Sequence, residues 1–271
     1  QFGHVGQLPQ IFQRFGFAGA ALWRGVGADV AETGFWWEAP DGTRLFTLYL
    51  ATGYGNATLL PLDAEGLARR LERTLAQLAP FVRGSTYCLM NGSDHLPPQP
   101  GLPAALAAAL PRLEGSPEME IGTLPSVLAR VREEQAGSAP THRGELRSGL
   151  RAPLLPGCAS SRLAQKQREF ANDALLTRVL EPLAAWAGRL GARIDRDLLD
   201  FTWGVALENH PHDSICGCSV DGVHLPMEPR FDRVAELPRA QLEPVTEALA
   251  ALSQRPKAGP RDGDAFAVEQ T

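Results

Sequence analysis

The hydrophobic positions of residues 1–135 fall in short runs separated by polar and turn-forming residues. The run at 18–23 is typical of a strand. The runs at 35–37 and 45–50 flank a Pro-Asp-Gly turn signal, so they predict the two strands of a hairpin. Two further short runs predict strands at 86–90 and 119–121.

A second pattern in the same region predicts helices. Asp63 is placed as the N-cap of one, and Thr123 caps another that runs to about residue 135. A short Ala-rich helix is predicted at 102–110. Because strands alternate with helices, the predicted class is α/β, with an incomplete (β/α) barrel-like domain over 1–135. The leucines that mark the first helix have spacings of 4, 4 and 3: Leu67, Leu71, Leu75 and Leu78.

Gly, Ser and Pro dominate residues 136–157, which we therefore interpret as a connecting segment. Residues 256–271 are interpreted as a linker, and the apolar run at 266–268 predicts the start of a β-rich domain. The chain opens with Gln inside a turn-like segment that contains several glycines. We expect a piece of a longer protein, truncated at both ends.

The second half of the chain has helical periodicity and predicts an all-α three-helix bundle over 158–255. The first helical pattern, 162–190, is interrupted only at Pro182, and the second covers 197–207. The third pattern, 220–254, must break or kink at its prolines, since proline lacks the helix N–H and clashes with the preceding turn. These prolines are Pro226, Pro229 and Pro238.

Composition excludes several classes of protein. The 26 basic and 31 acidic residues give a net charge of −5, which excludes a strongly basic nucleic-acid footprint. No apolar run approaches the roughly 18–20 residues that span a bilayer, so no membrane partner is predicted. Four cysteines in 271 residues are too few for a disulfide scaffold. With no secretion signal in view, we expect a cytoplasmic protein.

The densest group of metal-capable side chains lies in residues 209–218, Asn-His-Pro-His-Asp-Ser-Ile-Cys-Gly-Cys. Two imidazoles and a carboxylate within four residues suit a metal site. A capped helix end, with Asp213 or Ser214 as the N-cap, explains the same residues without a metal. The pair Cys216 and Cys218 lacks the two-residue gap of zinc ribbons, so small packing residues are the favoured interpretation.

A second candidate group, Asn-Gly-Ser-Asp-His at 91–95, directly follows the predicted strand at 86–90. Barrel enzymes place catalytic groups where strands end, and Asp94 can serve as a general acid there if its pKa is raised. An ordinary turn is the alternative.

Arg24 follows the strand at 18–23 and could hold a carboxylate by a bidentate bond, although a solvated arginine is the simpler account. Three tryptophans could stack on a sugar but are more typical of a core: Trp23, Trp36 and Trp37.

Five segments in order resemble glycoside hydrolase family 38, the retaining α-mannosidases. Residues 2–11, Phe-Gly-His-Val-Gly-Gln-Leu-Pro-Gln-Ile, resemble the stretch after the family's nucleophile, and Leu-Trp-Arg-Gly at 22–25 resembles its arginine strand. Residues 91–95 resemble its acid/base loop, and 160–167 the start of its helical domain. Residues 209–217 resemble its metal-histidine loop, with Val-Asp-Gly-Val-His at 220–224 following.

The resemblance implies a role for each matched residue. Asp94 would be the general acid and then the general base, and Arg24 would position the nucleophilic carboxylate. His212 would be a zinc ligand, and Asp213 would bond a sugar hydroxyl or steady the metal's ligands. The sugar pocket would be lined by Phe2 and by Tyr54.

The reaction implied by the resemblance is hydrolysis of terminal α-D-mannosyl linkages by double displacement. Retaining glycosidases use two carboxyl groups about 5–5.5 Å apart. One Zn²⁺ per active site would bind the mannose 2- and 3-hydroxyls and the nucleophile, acting as a template. The resemblance therefore predicts that His212 and Asp94 face one sugar-sized cleft.

The family pattern is incomplete in this sequence. The family's zinc site uses two His and two Asp, and its upstream His-x-Asp motif is absent here. The nucleophile would stand immediately before Gln1. Only His212 remains of four ligands, so we expect the parent to be active and this piece to be inactive. Leu-Pro-Gly at 155–157 lacks an aromatic that glycan-trimming members often carry, which disfavours a glycan substrate.

Two rival hypotheses stay open at this point. Another metal-dependent hydrolase would direct both His210 and His212 at one metal, whereas the mannosidase hypothesis needs only His212. A sugar-binding or assembly domain descended from a mannosidase would have no catalysis. The expected partner is an α-mannoside, and self-association into a homo-oligomer is a further hypothesis.

Overall fold

The computed structural model describes residues 3–115 and 117–253. The chain divides into two compact units, the first ending at Pro156 and the second beginning at Gly157. Each unit is described by itself. The predicted linker at 256–271 lies outside the described residues, as does Phe2.

A four-stranded mixed sheet forms the centre of the first unit, in the order β1-β3-β2-β4. β1 pairs parallel with β3, β3 antiparallel with β2, and β2 parallel with β4. The mixed α/β class is thereby confirmed, whereas closure into a barrel stays a prediction. The strands are β1 Ala20–Leu22, β2 Gly34–Glu38, β3 Arg44–Tyr49 and β4 Thr141–Arg143.

The predicted hairpin is confirmed by β2 and β3. Its turn closes with the Ala39 N–H donating to the Thr43 carbonyl at 2.8 Å, and Gly42 has φ +84°, a conformation that favours glycine. Every residue of β3 after Arg44 is buried, because both faces of the sheet are covered. Trp37 is fully buried and donates its indole N–H to the Gly144 carbonyl at 2.9 Å.

Three of the four helices of the first unit were predicted by their caps and periodicity. The Asp63 carboxylate accepts from the Gly66 N–H at 2.7 Å, and Thr123 forms a capping box with Ser126. The helix formed by residues 8–14 was not predicted. The helices are α1 Leu8–Arg14, α2 Ala64–Leu78, α3 Leu102–Ala109 and α4 Leu124–Gln135.

The strands predicted at 86–90 and 119–121 are wrong, since neither segment pairs in the sheet. A side chain replaces the strand partner of 86–90. The Asn56 amide donates to the Cys88 carbonyl at 3.1 Å and accepts from the Met90 N–H at 2.7 Å.

The segment interpreted as a connection, 136–157, contributes β4 and the antiparallel bridge between His4 and Leu146. A three-residue strand is too short to give a periodic signal in the sequence.

The second unit is helical, as predicted, and its three-helix bundle arrangement stays a prediction. The long pattern at 162–190 is divided by a π turn, Leu176–Leu180. In a regular α turn the Pro182 ring would meet the carbonyl of Arg178, and the wider turn makes room for it. The helices are α5 Leu163–Leu175, α6 Glu181–Arg189, α7 Arg196–Leu207, α8 His212–Ile215, α9 Asp221–His224 and α10 Met227–Ser253.

The prolines of the last region act differently from one another. Pro226 lies between α9 and α10 and separates them, as predicted. Pro229 lies in the first turn of α10, where its missing N–H has no helical partner to lose. Pro238 and Pro244 lie inside α10, which continues through both.

Candidate functional site

Two parallel neighbours in the sheet bring the first group of candidate residues together. Leu22, the last residue of β1, is in register with Tyr49, the last residue of β3. The chain therefore leaves both strands at the same edge of the sheet. Arg24 follows β1 at this edge, and Tyr54 follows β3.

Tyr54 and Asp94, singled out separately in the sequence, are hydrogen-bonded. The Tyr54 hydroxyl donates to the Asp94 carboxylate at 3.0 Å. That hydrogen bond, together with the negative charge of Asp94, raises the pKa of Tyr54 above its ordinary value. The Arg24 guanidinium acts in the opposite direction on the same hydroxyl. The phenol is thus the proton donor of the pair, and the carboxylate is the acceptor.

Aromatic contacts fix this group against β1. The rings of Trp23 and Tyr54 are 5.3 Å apart in an edge-to-face arrangement, and the Arg24 guanidinium lies 4.6 Å from the centre of the Trp23 ring. Arg24 also donates to the Pro153 carbonyl at 2.9 Å. An arginine held in this way is a fixed positive charge rather than a freely solvated one.

The loop that carries Asp94 is anchored by its own side chains. Asn91 donates to the Ala57 carbonyl at 2.7 Å and to the Gln99 side chain at 3.0 Å. The Thr58 hydroxyl donates to the Gly92 carbonyl at 2.6 Å. His95 has φ +61°, an uncommon conformation for a residue other than glycine. Asp94 itself is exposed, so its carboxyl is accessible from solvent.

The segment that follows Phe2 lies close to the arginine strand. His4 and Leu146 exchange backbone hydrogen bonds of 2.9 and 3.0 Å. A Cβ added to Gly25 would be 2.3 Å from the Leu146 carbonyl oxygen, so only glycine fits there. Two segments that resemble family motifs therefore flank one short stretch at Leu146. Burial lowers the pKa of His4, whose ring contacts Trp37 edge-on.

In the second unit, His212 and Asp213 begin the short helix α8. His212 Nε2 is 3.4 Å from the Asp213 carboxylate, and both side chains are exposed. Pro211 is the N-cap, with no side-chain cap hydrogen bond, so the interpretation of Asp213 or Ser214 as the cap is wrong. The Ser219 hydroxyl donates to the Asp213 carbonyl at 2.7 Å.

His210 has different partners from His212. Its Nε2 contacts the buried carboxylate of Glu169 and lies 3.5 Å from Asp173. Burial raises the pKa of Glu169. The two imidazoles thus face different carboxylates, and the rival arrangement with both on one metal has no support here.

An open cleft of about 430 Å³ beside His210 is lined by Phe170, Asp173, Ala174, Thr177, Arg178 and Trp203.

Within the described chain, two groups of three side chains converge as metal ligands would. One is Glu169, Asp173 and His210; the other consists of three cysteines. Neither group contains His212. One imidazole beside one exposed carboxylate falls short of the three protein ligands of a catalytic zinc site, so the residues described around His212 do not fit zinc by themselves.

Comparison with known proteins decides the family. The model of the glycosyl hydrolases family 38 N-terminal domain matches residues 1–145, more than half of the 271-residue chain. The chain belongs to glycosyl hydrolase family 38. The resemblance on which the site residues were chosen is therefore confirmed.

Similar proteins fall in the same family. The chain is 32% identical, over 251 residues, to a Halalkalibacterium halodurans protein named "Putative mannosylglycerate hydrolase", covering 86% of this chain and 27% of that one. It is 33% identical to an α-mannosidase from Enterococcus faecalis V583, with a TM-score of 0.81 and coverage of 93% and 29%. A second family 38 structure from Enterococcus faecalis is 29% identical, with a TM-score of 0.70 and coverage of 91% and 26%.

The family 38 chain thus spans between a quarter and a third of the length of these proteins. Among the helices that the structure describes, none is both long and apolar enough to cross a membrane.

Proposed function

We propose that the protein to which this chain belongs is a family 38 glycoside hydrolase that cleaves α-mannosides with retention of configuration. The observation that carries the proposal is the hydrogen bond from Tyr54 to Asp94 at the edge of the sheet where β1 and β3 end. Family membership supports the reaction class. Asp94 lies in the segment that resembles the family's acid/base loop, and it is exposed to solvent.

Asp94 acts first as an acid and then as a base. Protonated, it donates to the glycosidic oxygen as the leaving group departs; ionised, it removes a proton from the water that hydrolyses the glycosyl-enzyme. The Tyr54 hydroxyl orients the carboxylate through the 3.0 Å hydrogen bond. The sugar pocket is proposed to include Tyr54 and Phe2.

Arg24 has the geometry of a positioning residue. Its guanidinium is held by the Pro153 carbonyl and the Trp23 ring, and the remaining N–H groups are available to a carboxylate. We assign it the task of orienting the nucleophile of the first displacement. Its positive charge favours the ionised form of that nucleophile, because an opposite charge beside a carboxyl lowers its pKa.

His212 as a zinc ligand, with Asp213 next to it, is proposed on the family pattern. The residues described around His212 do not complete a zinc site, so no step above depends on the metal. For the same reason we expect the 271-residue piece alone, with added zinc, not to hydrolyse an aryl α-mannoside.

The substrate class proposed is an α-mannoside. The names of two similar proteins suggest a mannosylglycerate and, more generally, an α-mannoside. Cytoplasmic location and a homo-oligomer remain predictions.

Asp94→Asn in the full-length protein tests the proposal. We expect kcat for a mannoside with a poor leaving group to fall about 10²–10⁴-fold, the usual contribution of a general acid. An aryl mannoside with a very good leaving group needs no protonation, so its glycosylation step should continue, and added azide should yield the α-mannosyl azide. The matched control is Asp41→Asn, the same chemical change in the exposed hairpin turn.

Unchanged kcat in Asp94→Asn would remove Asp94 from the acid/base role. A β-configured azide product would contradict retention. Complete absence of turnover in the wild-type full-length protein would favour the sugar-binding hypothesis.

A further inference from the structure

Three of the four cysteines converge in the second unit. Cys158 precedes α5, whereas Cys216 and Cys218 follow α8, yet their three sulfur atoms lie within 4.8 Å of one another. All three are free thiols, and the sulfurs of Cys216 and Cys218 are 3.1 Å apart, well beyond the disulfide bond length of about 2.05 Å. Cys158 and Cys216 are buried, and Cys218 is exposed.

The approach of the two segments is fixed by the backbone rather than left to the cysteines. Gly217 has φ +78°, and a Cβ there would be 2.8 Å from the Ser161 carbonyl oxygen. The Gly217 carbonyl in turn accepts from the Ser161 hydroxyl at 2.7 Å and from the Arg162 guanidinium at 3.2 Å. These contacts hold the turn between Cys216 and Cys218 against residues 161–162, a few positions after Cys158.

Two cationic side chains bond the backbone carbonyls of this turn. Lys166 donates to the Cys216 carbonyl at 3.1 Å and also bonds the Ser161 carbonyl. Arg162 bonds the carbonyls on the other side of the turn.

We propose that Cys158, Cys216 and Cys218 form a three-thiolate site for a thiophilic divalent cation, Zn²⁺, separate from the zinc site implied for His212. Thiolate sulfur is the ligand that selects zinc over hard cations, and three sulfurs leave a fourth position on the exposed Cys218 side. The site would tie the start of α5 to the loop that carries His212 and Asp213.

Cadmium binding to the full-length protein tests the site, because thiolate-to-cadmium charge transfer gives an ultraviolet band that nitrogen and oxygen ligands do not. The reduced, metal-free protein is titrated with Cd²⁺ and then with Zn²⁺. We expect one Cd²⁺ per chain to develop the band, and only a large excess of Zn²⁺ to diminish it. Cys158→Ser should weaken the band and lower the Cd²⁺ affinity about tenfold or more.

The remaining cysteine supplies the control. Cys88→Ser, in the first unit, should bind Cd²⁺ as the wild type does. If Cys158→Ser or Cys216→Ser fails to fold by circular dichroism, the exposed Cys218→Ser carries the same test. A wild type without a thiolate band, or binding that no serine variant changes, overturns the site.

The two proposals fail independently. Loss of mannosidase activity with an intact cadmium band would count against the proposed function alone, and an active enzyme without the band would count against the thiolate site alone.

Discussion

The Tyr54–Asp94 group and the loop that carries His212 are assembled in different ways. In the first unit, sheet register delivers Trp23 and Tyr54: parallel strands β1 and β3 end together, and the rings that follow them meet. Asp94 reaches Tyr54 from a loop. In the second unit, hydrogen bonds between side chains and carbonyls tie the loop to α5, with Ser161, Arg162 and Lys166 as donors. A site built on strand register depends on the core beneath it, whereas a site built on a tied loop depends on a few local contacts.

The substitution with the largest expected effect removes part of the core beneath the Tyr54–Asp94 group. Trp37→Ala removes a fully buried indole and its bond to the Gly144 carbonyl. We expect the free energy of unfolding of the first unit to fall by about 3–5 kcal/mol. Chemical denaturation, with peptide-resolved hydrogen exchange, should show loss of protection in β2 and β3 but not in α5. Trp186→Ala, at a side chain that is 65% exposed, is the control and should cost about 0.5 kcal/mol or less. Equal losses of stability in Trp37→Ala and Trp186→Ala would contradict the dependence of the first unit on its buried core.

A smaller effect breaks the second arrangement. Gly217→Ala places a Cβ 2.8 Å from the Ser161 carbonyl in a left-handed conformation, and should cost about 1–3 kcal/mol. Gly222→Ala meets no atom within 4 Å and should be neutral or slightly stabilising. Thermal unfolding of the two variants measures the difference. If Gly217→Ala unfolds at the wild-type temperature, the loop is not held as described.

The smallest expected effect tests the Tyr54–Asp94 hydrogen bond without disturbing the fold of the first unit. The Asp94 carboxylate raises the pKa of Tyr54, because it accepts a hydrogen bond from the protonated phenol and because its negative charge disfavours the phenolate. Asp94→Asn should therefore lower the pKa of Tyr54, so that its ring signal changes at a lower pH in an NMR titration of labelled tyrosine. A Tyr54 that titrates identically in both proteins would show that the hydrogen bond does not form in solution.

Local signals predicted much of the fold. The hairpin followed from a turn triplet between two apolar runs, and α2 and α4 followed from Asp63 and Thr123 at their starts. The strand at 86–90 failed because its sequence is strand-like, while its partner is the Asn56 side chain rather than another strand. No local pattern distinguishes these two kinds of partner.

The candidate site residues also divide into those that local motifs located and those that they did not. Family motifs located Arg24 and Asp94, and the structure brings Tyr54 to both. Nothing near Cys216 or His210 in the sequence pointed to Cys158 or Glu169, because those partners come from distant positions that only helix packing brings close. Convergence of this kind is a property of three-dimensional packing and has no short-range signal.

The π turn at Leu176–Leu180, which joins α5 to α6, affects how these helices can differ in length among homologous chains. A π turn closes its hydrogen bond one residue later than an α turn, so it accommodates one additional residue. Leu176, the first residue of this turn, and Ala184, in α6, are both buried. Homologous chains that are one residue shorter here can wind as an uninterrupted α-helix and still keep the same side of α6 against the interior.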